Sequence, residues 1–311
     1  GVASAGERVA AVVSEHVEDA GVHSGDATIR CPALGVSDKI RDRVLAAAHE
    51  ISQALDLNGP ANFQFLANEQ EILVIECNAR ASRSFPFVSK VVGVNLAELA
   101  TEAAIGAKVK GWGALQPQGI VGVKAPVFSF TRLDGADPVL GVEMASTGEV
   151  GCIAPSFDEA LLLSLFSTHH KLPKKGILMS TGTPEQKQRF LPYLPALKRL
   201  GVPIYATSGT ARFLEANGVE ARTAAWPDES GAAESALELI YSGRVDWVIN
   251  MPKNFRRTEL SNGSQVRQAA IRRGCVLLTQ IDKTLAFIQA LEKFPRLLET
   301  HTVKPLAPAR A

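Results

Sequence analysis

This sequence has few cysteines and almost no excess of charge of either sign. Only four cysteines occur (Cys31, Cys77, Cys152 and Cys275), and their wide scatter lacks the spacing of a metal-binding cluster. They are predicted to be reduced thiols, as in a cytosol-like compartment. Lys and Arg total 33 against 32 Asp and Glu, a net charge of +1. Neither a basic nucleic-acid-binding arm nor an acidic tail is therefore indicated, and no nucleic-acid partner is expected.

Long apolar runs are absent too. The longest candidate, residues 160–166, is far too short to cross a bilayer, so no membrane partner is expected. No signal peptide is recognised, and a cytoplasmic location is predicted. The chain begins with Gly1 rather than methionine, so a targeting segment ahead of it is left open.

The composition is that of a globular protein. The 311 residues are 46% hydrophobic and 21% charged, enough for two domains that each have a core. In the first half, spacing predicts helices over 40–55, 96–105 and 158–167, and a strand over 124–130 that its proline places at a sheet edge. Residues 171–176 are predicted to be a linker, with the domains covering 1–172 and 173–311.

The second half alternates strands and helices. Strands are predicted over 177–180, 203–206, 247–250 and 275–279, and helices over 184–200, 208–217, 234–241, 265–273 and 283–291, the first of them broken by Pro192 and Pro195. Repeated βα units of this length predict a doubly wound parallel sheet, giving an α/β fold. Ligands in such sheets bind at the carboxyl ends of the strands.

The most informative stretch is residues 74–90, where an apolar strand runs into Glu76, Asn78, Arg80 and Arg83. Strands alternate faces, so Glu76 and Asn78 are expected on one side, about 7 Å apart. Residues 62–66 are a second strand, and pairing symmetric about residue 70 places Gln64 opposite Glu76. Three oxygen donors beside two guanidinium groups suit a divalent metal bridged to phosphates.

An ordinary hairpin is the alternative for this stretch, because polar outward faces are the norm in antiparallel sheets. For Gln64, Glu76 and Asn78 alone that interpretation is favoured about two to one. The two arginines three residues apart, followed at once by an apolar turn, shift the balance toward a phosphate site.

A second candidate site begins at Thr207, which ends a predicted strand and precedes a helix. The hydroxyls of residues 207–210 and the free N–H groups of the helix start can bind an anion. Alternatively, Thr207 or Ser208 only caps the helix, which is favoured from spacing alone.

These residues carry a resemblance to a known family. The segment IECNARASRSFPFVSK (75–90) is similar to the metal-binding end of an ATP-grasp domain, that of the second ATP-grasp half of the carbamoyl-phosphate synthetase large subunit. SEHVEDAGVHSGDAT (14–28) and KAPVFSFTRLDGADPVLGVEMASTGEV (124–150) resemble the same family in the correct order. Residues 173–311 resemble, more loosely, the methylglyoxal-synthase-like domain that ends these enzymes.

The resemblance implies a function for the first half. Residues 1–172 would be the end of an ATP-grasp unit, an α+β fold, that phosphorylates carbamate with ATP. Gln64, Glu76 and Asn78 would hold Mg²⁺ or Mn²⁺, while Arg80 and Arg83 neutralise charge on the transferred group. Gln64, Glu76, His23 and Ser24 would contact ATP. A histidine in a Gly/Ser loop is more often a solvated turn residue, so His23 rests on the resemblance.

The resemblance also implies an allosteric site in the second half. Its effector-binding residues would be Lys187, Thr207, Thr210, Trp226, Asn250 and Lys253. Trp226 and Asn250 resemble the members regulated by acylglutamate. Lys253 and the arginines near it favour a phosphorylated effector such as a uridine nucleotide. Lyase activity is not expected, because residues 250–253 offer no catalytic acid.

The expected partners are the remainder of the large subunit, a glutamine amidotransferase domain or subunit, and a uridine nucleotide or N-acetylglutamate as effector. The location would be mitochondrial for the acylglutamate type. Pyrimidine, arginine and urea synthesis share this ligase chemistry, so the pathway stays open. We expect the chain to be inactive by itself. The alternative is a non-catalytic effector-binding module with an inert ATP-grasp remnant.

Overall fold

The computed structural model of this chain describes residues 2–5, 8–18, 20–107, 113–133, 135–231, 233–252 and 257–295. The strands are β1 (Val2–Ala5), β2 (Arg8–Ala11), β3 (Glu15–His16), β4 (Ile29–Cys31), β5 (Asn58–Ala67), β6 (Ile72–Asn78), β7 (Gly113–Ala114), β8 (Val121–Val127), β9 (Gly148–Ala154), β10 (Ile177–Ser180), β11 (Ile204–Thr207), β12 (Arg222–Ala224), β13 (Trp247–Asn250) and β14 (Val276–Leu278).

The helices are α1 (Asp38–Ala54), α2 (Ser84–Val92), α3 (Leu96–Ala104), α4 (Phe157–Ser167), α5 (Pro184–Phe190), α6 (Leu194–Arg199), α7 (Ser208–Ala216), α8 (Ala236–Tyr241), α9 (Arg257–Arg272) and α10 (Ile281–Lys293). Within the described ranges, no helix is long and apolar enough to cross a membrane.

Side-chain caps decide where several helices begin. Ser37 accepts a hydrogen bond from the Ile40 N–H, so α1 begins two residues before the predicted start. Thr183 and Gln186 form a capping box at the start of α5. The predicted break at the prolines is confirmed, since a 3₁₀ turn over Leu191–Tyr193 separates α5 from α6.

Two antiparallel-rich sheets form the first half. One has the strand order β6-β5-β1-β2-β7 and the other β3-β4-β8-β9. The prediction that the strand containing Pro126 lies at an edge is wrong, because β8 lies between β4 and β9. Its pairing with β4 ends at Lys124, so Pro126 faces only Glu149 of β9. The missing N–H therefore costs no hydrogen bond to β4.

The second half contains the predicted parallel sheet, with the order β12-β11-β10-β13-β14 and parallel pairing throughout. The chain builds outward from β10 through β11 to β12, then returns to add β13 on the other side of β10. The strand order therefore reverses between β10 and β13, where doubly wound sheets bind their ligands. Ser180 and Asn250 are paired at this point.

One hydrophobic cluster continues across the predicted boundary at residue 172. It contains Leu161 and Leu165 of α4 together with Trp247 and Phe287 of the second half. A buried ion pair joins Glu18 to Lys283 with 3.8 Å between Oε1 and Nζ. Burial lowers the pKa of Lys283 and raises that of Glu18. The division at 172 stays a prediction, and the two halves share a core.

Candidate functional site

Strands β5 and β6 form the predicted hairpin and bring its polar residues together. Gln64 lies opposite Glu76, and Asn62 lies opposite Asn78, as the register predicted. The turn is centred between Glu69 and Gln70, since the Asn68 N–H bonds to the Glu71 carbonyl. Uninterrupted pairing from that turn would place Gln64 opposite Ile75 and not opposite Glu76.

A β-bulge resolves this mismatch. The register shifts between Gln64 and Phe65, with Phe65 opposite Val74, so Ile75 is the extra residue. Directly opposite residues in an antiparallel pair share a face. The bulge therefore returns Glu76 to the face of Gln64, and it also leaves Ile75 57% exposed.

The donor set on this face fits a hard divalent cation. Among the described residues, Glu76 Oε1 is buried and has no hydrogen-bond partner. Asn78 Oδ1 accepts a long contact, 3.5 Å, from Arg80 Nη2. Oxygen ligands of this kind suit Mg²⁺ or Mn²⁺. No group of three or more His, Cys, Asp and Glu residues suited to a metal occurs in the described ranges.

The two predicted arginines follow the hairpin and are both exposed. Arg80 donates to the Ala81 carbonyl, 3.2 Å away. Arg83 Nη2 is held more firmly, at 2.6 Å from Ser146 Oγ. Arg83 also immediately precedes α2, whose N-terminus carries the positive end of the helix dipole. This arrangement favours anions in front of the helix.

Two glycines fix α2 on the sheet behind it. A Cβ on Gly122 would lie 2.3 Å from Val91, and one on Gly151 would lie 2.7 Å from Phe87. Only hydrogen atoms at these positions of β8 and β9 let the helix approach so closely. The sheet thus determines the position of α2 and of Arg83, which precedes it.

The predicted nucleotide loop, residues 21–26, lies beside Arg83. His23 Nδ1 accepts a hydrogen bond from the Gly25 N–H at 3.0 Å, so the ring stabilises its own turn. A Cβ on Gly25 would lie 3.0 Å from Arg83 Nη2 and 3.1 Å from His23 Nδ1. The structure therefore brings His23 and Arg83 together, while Ser24 contributes its carbonyl to a contact with Lys124.

Sequence reasoning missed two residues that hold this loop. Lys124 is fully buried, and its Nζ lies 3.3 and 3.2 Å from the carbonyls of Ser24 and Gly25. Burial lowers the Lys124 pKa, and the nearby Glu149 carboxylate opposes that shift. Asp26, also fully buried, accepts bonds from the N–H groups of Ala145 and Ser146. The sequence offered one signal for Lys124, namely a lysine within an otherwise apolar strand.

The predicted effector residues gather at the carboxyl edge of the parallel sheet. Thr207 ends β11 and is paired with Ala224 of β12, two residues before Trp226. Lys187 reaches this edge from α5, with Nζ 3.5 Å from where a Cβ of Gly209 would be. The ammonium group therefore lies over the first turn of α7. Lys253 lies outside the described residues.

The two threonines differ in what their hydroxyls do. Thr207 occupies the N-cap position of α7, yet its side chain makes no capping bond among the described residues. Thr210 Oγ1 accepts from the Thr181 N–H at 3.1 Å and is 1% exposed. Thr210 thus fastens the loop after β10, and Thr207 is the hydroxyl left at the strand end.

Asn250 and Trp226 also differ in their surroundings. Trp226 is half-buried against the apolar cluster under α8. Asn250 is 2% exposed, and its Oδ1 accepts from Arg267 Nη1 at 2.7 Å. Arg267 in turn binds Asp137 through two nitrogens, at 2.7 and 2.5 Å. The sequence did not reveal this partner, because Asp137 lies in a distant loop.

Each half of the chain is similar to a known protein family. Residues 4–111 match the carbamoyl-phosphate synthase L chain, ATP binding domain, and residues 189–279 match the MGS-like domain. The first half is thus similar to part of a synthase ATP-binding unit, and the second half is similar to an MGS-like domain. The predicted fold class is confirmed by these matches and by the parallel sheet.

Individual relatives show the same combination. The multifunctional protein URA2 of Saccharomyces cerevisiae is 45% identical over 301 residues, 94% of this chain and 14% of that protein. The multifunctional protein CAD of Squalus acanthias is 42% identical over 93% of this chain and 14% of its own length. The mitochondrial carbamoyl-phosphate synthase [ammonia] of Aquarana catesbeiana is 42% identical over 94% of this chain and 20% of its own length.

The resemblance to the C-terminal part of the carbamoyl-phosphate synthetase large subunit is thereby confirmed. The chain spans only about a fifth or less of the length of these relatives. Among solved structures, the biotin carboxylase of Campylobacter jejuni has a TM-score of 0.40 and 17% identity, covering 53% of this chain and 44% of that one. That likeness is too weak to support any inference.

Proposed function

We propose that the first half contributes the metal-binding hairpin and the phosphate-binding arginines of a unit that phosphorylates carbamate with ATP. The observation that supports this most is the pairing of Gln64 with Glu76 beside Asn78. Among the described residues, Glu76 Oε1 is buried without a hydrogen-bond partner. A buried carboxylate oxygen of this kind is costly unless a cation compensates it.

In this proposal Gln64, Glu76 and Asn78 hold Mg²⁺ or Mn²⁺, and Gln64 and Glu76 lie next to the ATP phosphates. When bound, the divalent ion would neutralise charge on the phosphates. A carbamate oxygen forms a bond to the γ-phosphorus as the bond to the bridging oxygen of ADP breaks. Arg80 and Arg83 neutralise charge on the transferred group and on the carbamate. Positioning and electrostatics account for most of the catalysis.

The loop of residues 21–26 is proposed to contact the nucleotide through His23 and Ser24. Lys124 fixes the carbonyls of this loop from beneath, so its exposed side is held in one conformation. Ser146 holds Arg83 against the same loop through a second bond to the Gly25 carbonyl, 3.1 Å long. The loop and the arginine therefore present a single surface to the phosphates.

The second half is proposed to bind an allosteric effector at the carboxyl edge of its sheet, using Lys187, Thr207, Thr210, Trp226, Asn250 and Lys253. A uridine nucleotide is favoured over N-acetylglutamate. Lys187 beside the start of α7 supports this choice, because a helix N-terminus and an ammonium group together favour a phosphate. Trp226 and Asn250 are the residues that acylglutamate would use.

The proposal includes partners and a location. The rest of a large subunit would complete the ATP-binding unit, and a glutamine amidotransferase domain or subunit would supply nitrogen. A cytoplasmic location accompanies a uridine nucleotide effector, and a mitochondrial one accompanies N-acetylglutamate. The chain by itself is proposed to be inactive.

Manganese titration tests the metal site. Mn²⁺ binding to the whole chain in the presence of ATP, followed by electron paramagnetic resonance, should weaken at least tenfold in Glu76→Gln. Glu71→Gln is the matched control, since it removes an exposed carboxylate from the same hairpin, and it should bind like wild type. Equal Mn²⁺ affinity in all three proteins would overturn the assignment of Glu76.

Calorimetric titration tests the effector site. The whole chain is titrated separately with UMP, UTP and N-acetylglutamate, in the wild-type form and as Lys187→Ala. We expect a uridine nucleotide to bind and the substitution to weaken it at least tenfold. Binding of N-acetylglutamate alone, unaffected by Lys187→Ala, would overturn the nucleotide assignment.

A further inference from the structure

A long connection links the two antiparallel strands β8 and β9. We call residues 128–147, apart from residue 134, the crossing loop. Its base is closed by a 2.8 Å contact between Ser129 Oγ and Thr147 Oγ1. Connections of this length in a compact domain usually have a function, and this one contacts both candidate sites.

One part of the crossing loop, residues 141–146, contacts the candidate site of the first half, and we call it the first limb. The His23 N–H donates to the Gly141 carbonyl at 2.8 Å. The N–H groups of Ala145 and Ser146 donate to the buried Asp26 carboxylate at 2.8 and 2.9 Å. Ser146 Oγ then accepts from Arg83 at 2.6 Å. The position of Arg83 thus depends on this limb.

The other limb, residues 135–137, is bonded to α9 in the second half. Asp137 accepts two hydrogen bonds from Arg267, at 2.7 and 2.5 Å, and the Gly135 carbonyl accepts from Gln268 Nε2 at 3.0 Å. A planar bidentate pair of this kind defines orientation as well as distance. Arg267 is 1% exposed, so most of this ion pair is shielded from solvent.

The same guanidinium group contacts the predicted effector pocket. Arg267 Nη1 donates to Asn250 Oδ1 at 2.7 Å. Gly263, one turn earlier in α9, leaves room for it, since a Cβ there would lie 2.6 Å from Arg267 Nη1. A ligand that bonds to Asn250 would compete for an oxygen already used by Arg267.

We propose that Arg267 is a positioning residue that couples the effector pocket to Arg83 through the crossing loop. The inference rests on the proposed function of both sites. An effector that alters the bond between Asn250 and Arg267 would change how Arg267 holds Asp137. The residues of the crossing loop that bond to Arg83 would then shift as well. Coupling of binding is reciprocal, so ligands that reposition Arg83 must change effector affinity by the same factor.

Hydrogen exchange of the whole chain tests this coupling, with UMP and N-acetylglutamate as the probes. In the wild type, the bound probe should change exchange at the Ala145 and Ser146 amides at least threefold. In Asp137→Asn the probe should still bind, but this change should disappear. Asp158→Asn is the matched control, because it removes a different ion pair between the halves, with Lys293 at 2.7 Å, and it should respond like wild type. An undiminished response in Asp137→Asn overturns the proposal.

A second arm needs no effector, and it separates this proposal from the proposed function. If neither probe binds the wild type, the effector function fails, while the mechanical link is still tested. Asp137→Asn alone should then speed exchange of the Ala145 and Ser146 amides about tenfold, and Asp158→Asn should not. Arg267→Lys, which keeps the charge but loses the bidentate geometry, should lie between. Unchanged exchange in Asp137→Asn would show that the pair of Asp137 with Arg267 does not affect the Ala145 and Ser146 amides.

Discussion

The two candidate sites of this chain use polar groups in opposite ways. At the hairpin, among the described residues, Glu76 Oε1 is buried and unpartnered, and Arg80 is exposed. At the edge of the parallel sheet, Asn250 and Thr210 are buried and already bonded to Arg267 and to the Thr181 N–H. At the first site, the proposed cation would be the partner of Glu76 Oε1. At the second, a ligand would meet oxygens that already have protein partners.

This difference bears on how each site responds to a ligand. A buried carboxylate oxygen without a partner gains from a cation and loses little on binding it. A ligand that bonds to Asn250 Oδ1 competes with Arg267 for that oxygen, so its binding favours a rearrangement of the protein.

The largest expected effect comes from Glu76→Gln. In a polypeptide that contains this chain and makes carbamoyl phosphate, the loss of a metal-ligand charge should cost several kcal/mol of transition-state stabilisation, at least a hundredfold in rate. Thermal unfolding should change little, since the volume is kept. Steady-state kinetics at saturating Mg²⁺ give the comparison, with Glu71→Gln as control. Near-normal turnover in Glu76→Gln would show that the hairpin is an ordinary one.

Acid should destabilise both halves through two half-buried histidines. Burial, followed by the Lys124 charge, lowers the His16 pKa to about 4, and burial lowers the His170 pKa to about 3. Unfolded histidine has a pKa of about 6.5, so the unfolded chain binds more protons as the pH falls from about 6.5 to 4. Each histidine should lower the free energy of unfolding by up to about 1.4 kcal/mol per pH unit.

Urea unfolding between pH 4 and 7 measures this slope. His16→Gln tests the first half and His170→Gln tests the junction with α10, and each variant should flatten the curve. The comparison isolates the histidines from carboxylates that titrate in the same range. A wild-type slope in both variants would exclude them as the titrating groups.

Gly25→Ala should separate catalysis from stability. Its Cβ would lie 2.8 Å from Met144 Sδ and 3.0 Å from Arg83 Nη2, both ends of flexible side chains. In a polypeptide that contains this chain and makes carbamoyl phosphate, we expect Arg83 to shift and the phosphorylation rate to fall about tenfold, because small displacements of a positioned group are costly. The melting temperature should stay near wild type. Gly231→Ala, where a Cβ meets nothing within 4 Å among the described residues, is the control. Full activity in Gly25→Ala would remove Arg83 from the mechanism.

The smallest effects distinguish the two threonines of the second site. Thr210→Val leaves the buried Thr181 N–H unpaired and should cost about 1–3 kcal/mol of stability. Thr207→Val removes no capping bond and should change stability by less than about 0.5 kcal/mol, while it weakens effector binding severalfold. Chemical denaturation and calorimetry measure the two quantities. Equal stability losses would mean that both hydroxyls are structural.

Local patterns account for what could be predicted. The parallel sheet and the break between α5 and α6 follow from periodicity and proline chemistry. The placement of Pro126 at an edge was wrong, because the extent of pairing with β4 depends on where another strand ends. The roles of Lys124 and Asp26 were missed, since both act on residues far away in the chain.

The sequence by itself determined the alternation of faces along β6, the strand ends that carry Thr207 and Asn250, and the family to which both halves are similar. These features depend on neighbouring residues, whose geometry the backbone repeats. Only the tertiary structure decided that a bulge at Ile75 brings Glu76 to the face of Gln64, and that Asp137 reaches Arg267. Both depend on how distant segments pack, and the packing energy that selects them is a property of the whole fold.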